Sequence, residues 1–415
     1  MRKRLSFILA LVMVFSLLSG CSKNASGSSP ADSESNTPVE NTESASSTAA
    51  ASGDFDAFAR PTIWKDDGAP FKVAVMIQWV TSTAALRSMK QMDIIGNHYN
   101  WEFEYVLFEK PDNFRDSFQA ILNEGDVDAI LIHATDNLNS RADLIAEARK
   151  RGIGVYAWDA DVAPGIITNV QQAGGNIAVD LFYAMYRDIY DGSEPFTIAT
   201  LEWPSMYFFN ERSYPWNALG DAIPQCKTVA REDISAVALQ YGSAYSAYQT
   251  VLAWESKYDL SESIKAINGL CDDAVYGAVE AVKATGDLHG EYTKVSTTEG
   301  GDTALTYLRS NSPLKYVYCQ PYELMTYNVC EIIKEIQIDG LNPGDAGCIL
   351  SKAGTPYYVQ GTVVTEDTCP AVGVEYHSIF NYYGGNPDDT DAWWNWDTEE
   401  FPNNTVADSQ YESNF

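Results

Sequence analysis

The chain is poor in positive charge and poorer still in histidine. It carries 27 Lys and Arg against 57 Asp and Glu, a formal charge of −30, and only four histidines. A surface of that sign repels phosphate backbones and anionic headgroups, which argues against nucleic-acid binding and against electrostatic attachment to a membrane. There is no Cys-x-x-Cys, and His98, His133, His289 and His377 make no zinc-site spacing. No run of acids has the spacing of a calcium loop. Also missing are a Gly-x-Ser-x-Gly elbow, a phosphate-binding loop and a His-Glu-x-x-His pair. The sharpest catalytic arrangement left is Cys271 with His133. The chain as a whole reads as a non-enzyme that uses no cofactor and no metal. Residues 22–53 hold no Leu, Ile, Phe, Tyr or Trp, so they cannot bury enough apolar surface to offset the entropy of ordering.

Ahead of that stretch, Arg2, Lys3 and Arg4 precede an apolar run from Leu5 to Leu18, and Ser19-Gly20-Cys21 follows. A charged start, a short apolar segment and small residues before a cut site make a secretory signal. The run is shorter than the ~20 residues a spanning helix needs. A cysteine directly after Ser-Gly resembles the bacterial lipobox, which implies a lipoprotein signal peptide over 1–21 and lipidation of Cys21. Residues 22–53 then form a disordered tether of roughly 30 Å reach. The expected location is the cell membrane, lipid-anchored on its extracytoplasmic face. The remaining chain is too long for one small core and fits two lobes. Cys226, Cys271, Cys319, Cys330, Cys348 and Cys369 make an even set, which permits disulfides outside the cell. Cys348 and Cys369 flank an expected hairpin and are the best-placed pair; the alternative is buried free thiols.

The body opens with strands alternating with helices. Short apolar runs predict strands at 71–77, 103–108, 127–132, 153–158 and 166–170. Helices are predicted between them over 84–96, 113–124 and 140–151, the last stopping at Gly152. The alternation restarts with a strand over 196–201 and helices over 210–222 and 247–258. A weaker element spans 263–270, with Ile264 and Ile267 at a strand edge. A helix over 273–285, a strand over 292–297, a helix over 304–310, a strand over 315–319 and a helix over 322–337 follow. Repeated strand–helix–strand units imply parallel sheets covered on both faces. Ligands in such sheets bind beyond the carboxyl ends of the strands, so function is sought just after each one. Residues 365–415 are aromatic and acidic without periodicity and read as an extension packed on a lobe.

Read together, the strand-end residues resemble those of the type I periplasmic sugar-binding proteins, the ribose-binding-protein group of ABC-transporter receptors, over residues 70–364. Ile130 to Asp136 looks like the family's apolar strand and Asn-Pro-Thr-Asp loop, with His133 in place of the ligand-binding Asn. Val155 to Asp159 matches a strand ending in a ligand-binding Asp, although Ala160 stands where an Arg is common. Asn169 to Gly175 resembles a crossover segment, with Gln171 replacing an acid. Asn210 to Trp216 looks like a helix start in which Arg212 donates to a bound oxygen; Pro215-Trp216 departs from the pattern. Leu270 to Ala278 resembles an Asn-Asp-x-x-Ala-x-Gly-Ala segment, with Cys271 in the place of a ligand-binding Asn. The family's second-lobe Asp would fall near Ser296-Thr297-Thr298, where no acid is present. Val317 to Pro321 resembles the last hinge crossing, with Gln320 as a ligand contact.

The resemblance implies an α/β fold of two doubly wound parallel-sheet lobes joined by a three-crossing hinge, the type I periplasmic-binding-protein fold. It places the N-terminal lobe at 70–172 plus 321–358 and the C-terminal lobe at 173–320 plus 359–364. A sugar needs planar polar groups for its hydroxyls and aromatic faces for its ring. His133, Asp159, Gln171, Arg212, Cys271 and Gln320 are candidates for the first, with Thr83 at the end of the loop after the first strand. Trp79 in that loop is the candidate for the second, with Trp158 or Tyr207. Asp272 and Asp273 also suit the first turn of a helix. The expectation is a monomeric solute receptor that delivers a small polar ligand, a sugar above all, to a membrane permease driven by an ATPase. The alternatives are a sensor module for a chemoreceptor or histidine kinase, and a glycan-adhesion protein.

Overall fold

The computed structural model describes residues 57–369, apart from 79, 81, 109–112, 136, 173, 193 and 259. Cys21, the signal, the tether, Trp79 and the extension beyond Cys369 lie outside the described residues, as does the side chain of Thr83.

The first lobe begins β1 (Phe71–Gln78), α1 (Thr83–Tyr99), β2 (Trp101–Phe108), α2 (Phe114–Glu124), β3 (Ala129–His133), α3 (Ala142–Lys150), β4 (Gly154–Trp158) and β5 (Thr168–Gln172). β1 shows why this sequence becomes a central strand. Its alternate residues Phe71, Val73, Val75 and Ile77 pack in one apolar cluster, Ala74 and Met76 in another. The second cluster takes Phe114, Phe118, Ile121 and Leu122 of α2 and Leu144 and Ile145 of α3. Both faces of the strand are therefore covered, and its apolar run is continuous rather than alternating.

The second lobe holds α4 (Gly174–Ile189), β6 (Phe196–Glu202), α5 (Tyr207–Ala222), β7 (Cys226–Asp233), α6 (Ser235–Tyr241), α7 (Ser243–Tyr258), α8 (Leu260–Ser263), β8 (Ala266–Asn268), α9 (Asp272–Ala284), β9 (Lys294–Glu299), α10 (Asp302–Arg309) and β10 (Leu314–Cys319). α11 (Tyr322–Gln337) returns to pack on α1, β4 and β5 of the first lobe. β11 (Thr355–Val359) joins the first sheet, and β12 (Thr362–Val364) joins the second. The sheet orders are β11-β5-β4-β3-β1-β2 and β12-β10-β9-β8-β6-β7. Every pairing is parallel except that of β12 with β10. The chain thus passes between the sheets after β5, after β10 and after β11, as the two-lobe expectation requires.

Three features differ from the sequence reading. The residues between Cys348 and Cys369 form no hairpin, because β11 and β12 belong to different sheets. Cys348 packs against the first-lobe core and Cys369 against the second, so the expected disulfide does not form; all six cysteines of the described residues are free thiols. The weak element near Ile267 is no edge: β8 lies between β9 and β6, and Ile264 and Ile267 are fully buried. α5 runs through Pro215, as the expected helix over 210–222 does. A proline there loses one helical hydrogen bond, and Trp216 next to it is fully buried edge-on against Phe182.

Residues 60–64 form a strap on the first lobe. Arg60 donates to the Asn342 side chain at 2.7 Å and to the carbonyls of Ile336 and Leu341. The Thr62 and Trp64 amides donate to the carbonyls of Gly152 and Gln337, each at 2.7 Å. These anchors sit at the amino-terminal ends of the strands.

Candidate functional site

The carboxyl ends of β3, β4, β8 and β9, with the first turns of α1, α5 and α9, enclose a cavity of about 70 Å³. That is space for several ordered waters or for one compact solute that displaces them. Its lining includes Ser82, His133, Ala134 and Asp159 from the first lobe, and Trp203, Phe208, Phe209, Arg212, Ser243, Cys271, Asp273 and Glu299 from the second. Tyr322, which opens α11 after the second crossing, completes it.

Backbone conformation marks the same place. Seven described non-glycine residues have positive φ, and three of them are asparagines, which tolerate it. The other four are Ala134 (43°), Asp159 (48°), Leu270 (72°) and Glu299 (92°). All four are at strand ends facing the cavity or next to a residue that lines it. Unfavourable backbone held at four converging strand ends points to a site the surrounding structure keeps in shape.

Arg212 is the centre of the polar network. It is fully buried, and its Nη1 donates to Thr298 Oγ1 at 2.9 Å and to Glu299 Oε1 at 3.1 Å. Its Nη2 donates to Gln320 Oε1 at 3.4 Å, and the guanidinium lies over the rings of Phe209 and Phe208. Burial alone would lower its pKa, but Tyr322, Glu299 and Asp159 outweigh that and raise it, so it is a permanent cation. Asp159 faces it from the other lobe. It is 4% exposed and accepts from Gln172 Nε2 at 3.2 Å. Burial pushes it up to about 6, against the pull of Arg212 and with the push of Glu299.

His133 stacks on Trp158 with ring centroids 4.4 Å apart and is fully buried. Neither ring nitrogen makes a hydrogen bond of good geometry among the described residues. Burial lowers its pKa to about 3, the Gln78 backbone pulling weakly the other way, so the imidazole is neutral. Cys271 is the N-cap of α9, and burial drives its thiol well above the usual range. Asp273, in the first turn of α9, still reaches solvent at the cavity mouth. Enclosure by protein atoms and then Glu299 raise it to about 6.

His133, Asp159, Arg212 and Cys271 are thus brought together around one space. Gln320 lies behind it, fully buried, accepting from Arg212 and from the Tyr322 hydroxyl. Gln171 turns to Asn169, whose Nδ2 donates to it at 2.9 Å, and its neighbour Gln172 reaches Asp159 instead. Trp158 is buried beneath His133 and donates to Ser88 Oγ at 3.2 Å; Tyr207 is half-exposed and lines no part of the cavity. The sequence shows no acid within Ser296-Thr297-Thr298, yet Glu299, one residue on, pairs with Arg212. Sequence reasoning also misses the walls formed by Trp203, Phe208, Phe209 and Tyr322. The Phe208-Phe209 pair just before Asn210 is the available signal.

A second buried ion pair, within the first lobe, lies beside the cavity and reaches the second lobe through its guanidinium. Arg87 of α1 meets Glu323 of α11 with two contacts of 2.6 Å, both side chains being buried. The same guanidinium donates to the carbonyls of Glu299 and Gln320, at 3.0 and 3.1 Å.

The sequence matches no protein-family profile and no curated protein sequence. Solved structures are similar. A sugar ABC transporter protein of Yersinia enterocolitica superposes with a TM-score of 0.62 at 18% identity, over 79% of this chain and 93% of that one. An ABC transporter periplasmic solute-binding protein of Actinobacillus succinogenes with bound D-allose gives 0.60 at 18% identity, over 72% and 99%. A 5-methylthioribose transporter solute-binding protein of Thermotoga lettingae gives 0.58 at 15%, over 72% and 88%. The fold is that of the type I periplasmic binding proteins.

Proposed function

We propose that this chain is an extracytoplasmic receptor that captures a small polar solute of the sugar class between its lobes and presents it to an ATP-driven membrane importer. One observation carries the reading: Asp159 from one lobe and Arg212 from the other converge on a single aromatic-walled cavity at the strand ends. A fold alone does not establish a function, but planar polar groups beside aromatic faces are what a hydroxylated ring requires. The structural neighbours named above carry sugar-type ligands or are named as sugar-transporter proteins, which supports the same class of solute. Catalysis by the Cys271–His133 pair is disfavoured physically: burial drives the thiol up and the imidazole down, so a thiolate–imidazolium pair is unstable there.

A thermal-shift screen over pentoses, hexoses and nucleosides tests the reading. A ligand at 100 times its dissociation constant adds about 2.7 kcal/mol of stability. Asp159→Ala is expected to abolish that shift and leave the chain folded. An undiminished shift in the variant removes Asp159 from the site, and a screen that stays blank for these compounds and for charged sugars alike overturns the proposal. Anchoring through Cys21 belongs to the same proposal, on the charged, apolar and small-residue pattern before it. Cys21→Ser is expected to release the protein from the membrane fraction, and a variant that stays there argues against the lipid.

A further inference from the structure

The cavity faces three carboxylates, Asp159, Asp273 and Glu299, with one guanidinium, Arg212. Glu299 is the partner of that guanidinium at 3.1 Å, and Arg87, the next cation, is held by Glu323. Asp159 and Asp273 are therefore left without a salt-bridge partner among the described residues. Asp159 has a single hydrogen bond to its carboxylate among those residues, from a neutral amide. Asp273 has none. Asp159 is almost wholly removed from water, and the one cation facing it, Arg212, is already paired with Glu299; a buried carboxylate so placed is unfavourable.

A second, independent feature points to an occupant. His133 borders the same cavity fully buried, with neither ring nitrogen in a good hydrogen bond among the described residues. A buried imidazole in that condition has capacity for a further hydrogen-bond partner. Hydroxyls satisfy it; they do not satisfy the charge. Trp203 and Tyr322 add aromatic walls to the same space, which suit the apolar side of a sugar ring.

Resting on the solute-receptor reading above, we propose that the solute is cationic: a hydroxylated ring carrying a protonated amine, an amino sugar rather than a neutral one, with the ammonium between Asp159 and Asp273 and hydroxyls at His133. A neutral sugar can donate hydroxyls to Asp159 but brings no opposite charge to it or to Asp273 at the mouth. An ammonium makes charge-assisted hydrogen bonds to the same oxygens. The net charge of the lining also disfavours an anionic solute, for which Arg212 is already neutralised.

Titration calorimetry at pH 7 with glucosamine, galactosamine and mannosamine, each against its parent sugar and its N-acetyl form, tests this. The parent sugar matches the amine in size without the charge, and the N-acetyl form keeps the nitrogen, removes the charge and adds an acetyl group. At least one amine is expected to bind roughly ten-fold or more tightly than both of its neutral partners. Asp159→Asn, which keeps shape and removes charge, is expected to erase that preference. Asp273→Asn at the mouth is expected to reduce it, and carries the test if the first variant fails to fold. Binding of a neutral sugar as tight as that of its amine overturns the inference and leaves the receptor reading standing. So does a neutral ligand from the wider screen with no amine binding. Silence from every compound in both sets overturns both readings.

Discussion

Asp159 shows how one buried carboxyl can weaken the folded protein as it ionises. Its carboxyl is raised to about 6 in the fold, by burial first, from about 3.9 in the unfolded chain. Between those values the folded state holds the proton that the unfolded state has released. Stability from this group is therefore present at low pH and lost as pH rises from about 4 to about 6. A difference of that size corresponds to about 3 kcal/mol at most. Asp159→Asn removes the effect, so the ligand-free variant is expected to melt a few degrees above the parent at pH 7 and close to it at pH 4. Melting curves of both proteins at the two pH values check this, and equal melting points at pH 7 contradict it. Asp159 is legible in the sequence because it ends an apolar strand, where ligands of parallel sheets bind. Glu299 is not, because only its contact with Arg212 distinguishes it from any acid ahead of a Gly-Gly turn.

At the scale of elements, the second lobe depends on a close crossing of α7 and α9. A Cβ added to Gly277 would lie 1.8 Å from the Ala244 carbonyl oxygen and 2.9 Å from the Tyr248 amide nitrogen. Backbone cannot yield there as a flexible side chain would. Gly277→Ala is expected to push the helices apart and cost about 1–3 kcal/mol, measured by urea denaturation. The variant also tilts Cys271 and Asp273 at the head of α9, so solute affinity should fall with stability. A variant as stable as the parent would show that the crossing is looser than described.

The elements that escape a reading of the sequence have physical reasons for doing so. β7 is an edge strand with only Cys226 and Ala230 buried, so it lacks an apolar run. β8 is three residues long, and its central position comes from its neighbours. α4 does carry Ile177, Ala178, Leu181, Phe182 and Met185 on one face, but it opens on Gly174-Gly175, which reads as a loop. β1 to β5 of the first lobe are legible from their short apolar runs, whereas β11 of the same sheet is not, since only Val359 in it is buried. The aromatic walls are not, since Trp203, Phe208, Phe209 and Tyr322 come from separate stretches of chain that only the fold unites.

At the scale of the molecule, the two lobes are joined by three crossings and by the contacts of Arg87. Hinge closure around a ligand uses a few residues at such crossings. Arg87 belongs to the first lobe yet holds the carbonyls of Glu299 and Gln320 at the end of the second sheet. Removing its counter-ion strands a buried cation. Glu323→Ala is expected to lose about 3–5 kcal/mol and Glu323→Gln less, because the amide oxygen still accepts. Chemical denaturation of both variants checks this. Equal losses in the two would show that charge is not what Arg87 requires at this position.

The strap at residues 60–64 fixes where any pull from the preceding chain is felt. Its anchors at Gly152, Gln337 and Asn342 are on the blunt end of the first lobe, away from the mouth and away from all three crossings. A load carried by the preceding chain would enter the molecule through the first lobe alone, at contacts that touch no residue of the second.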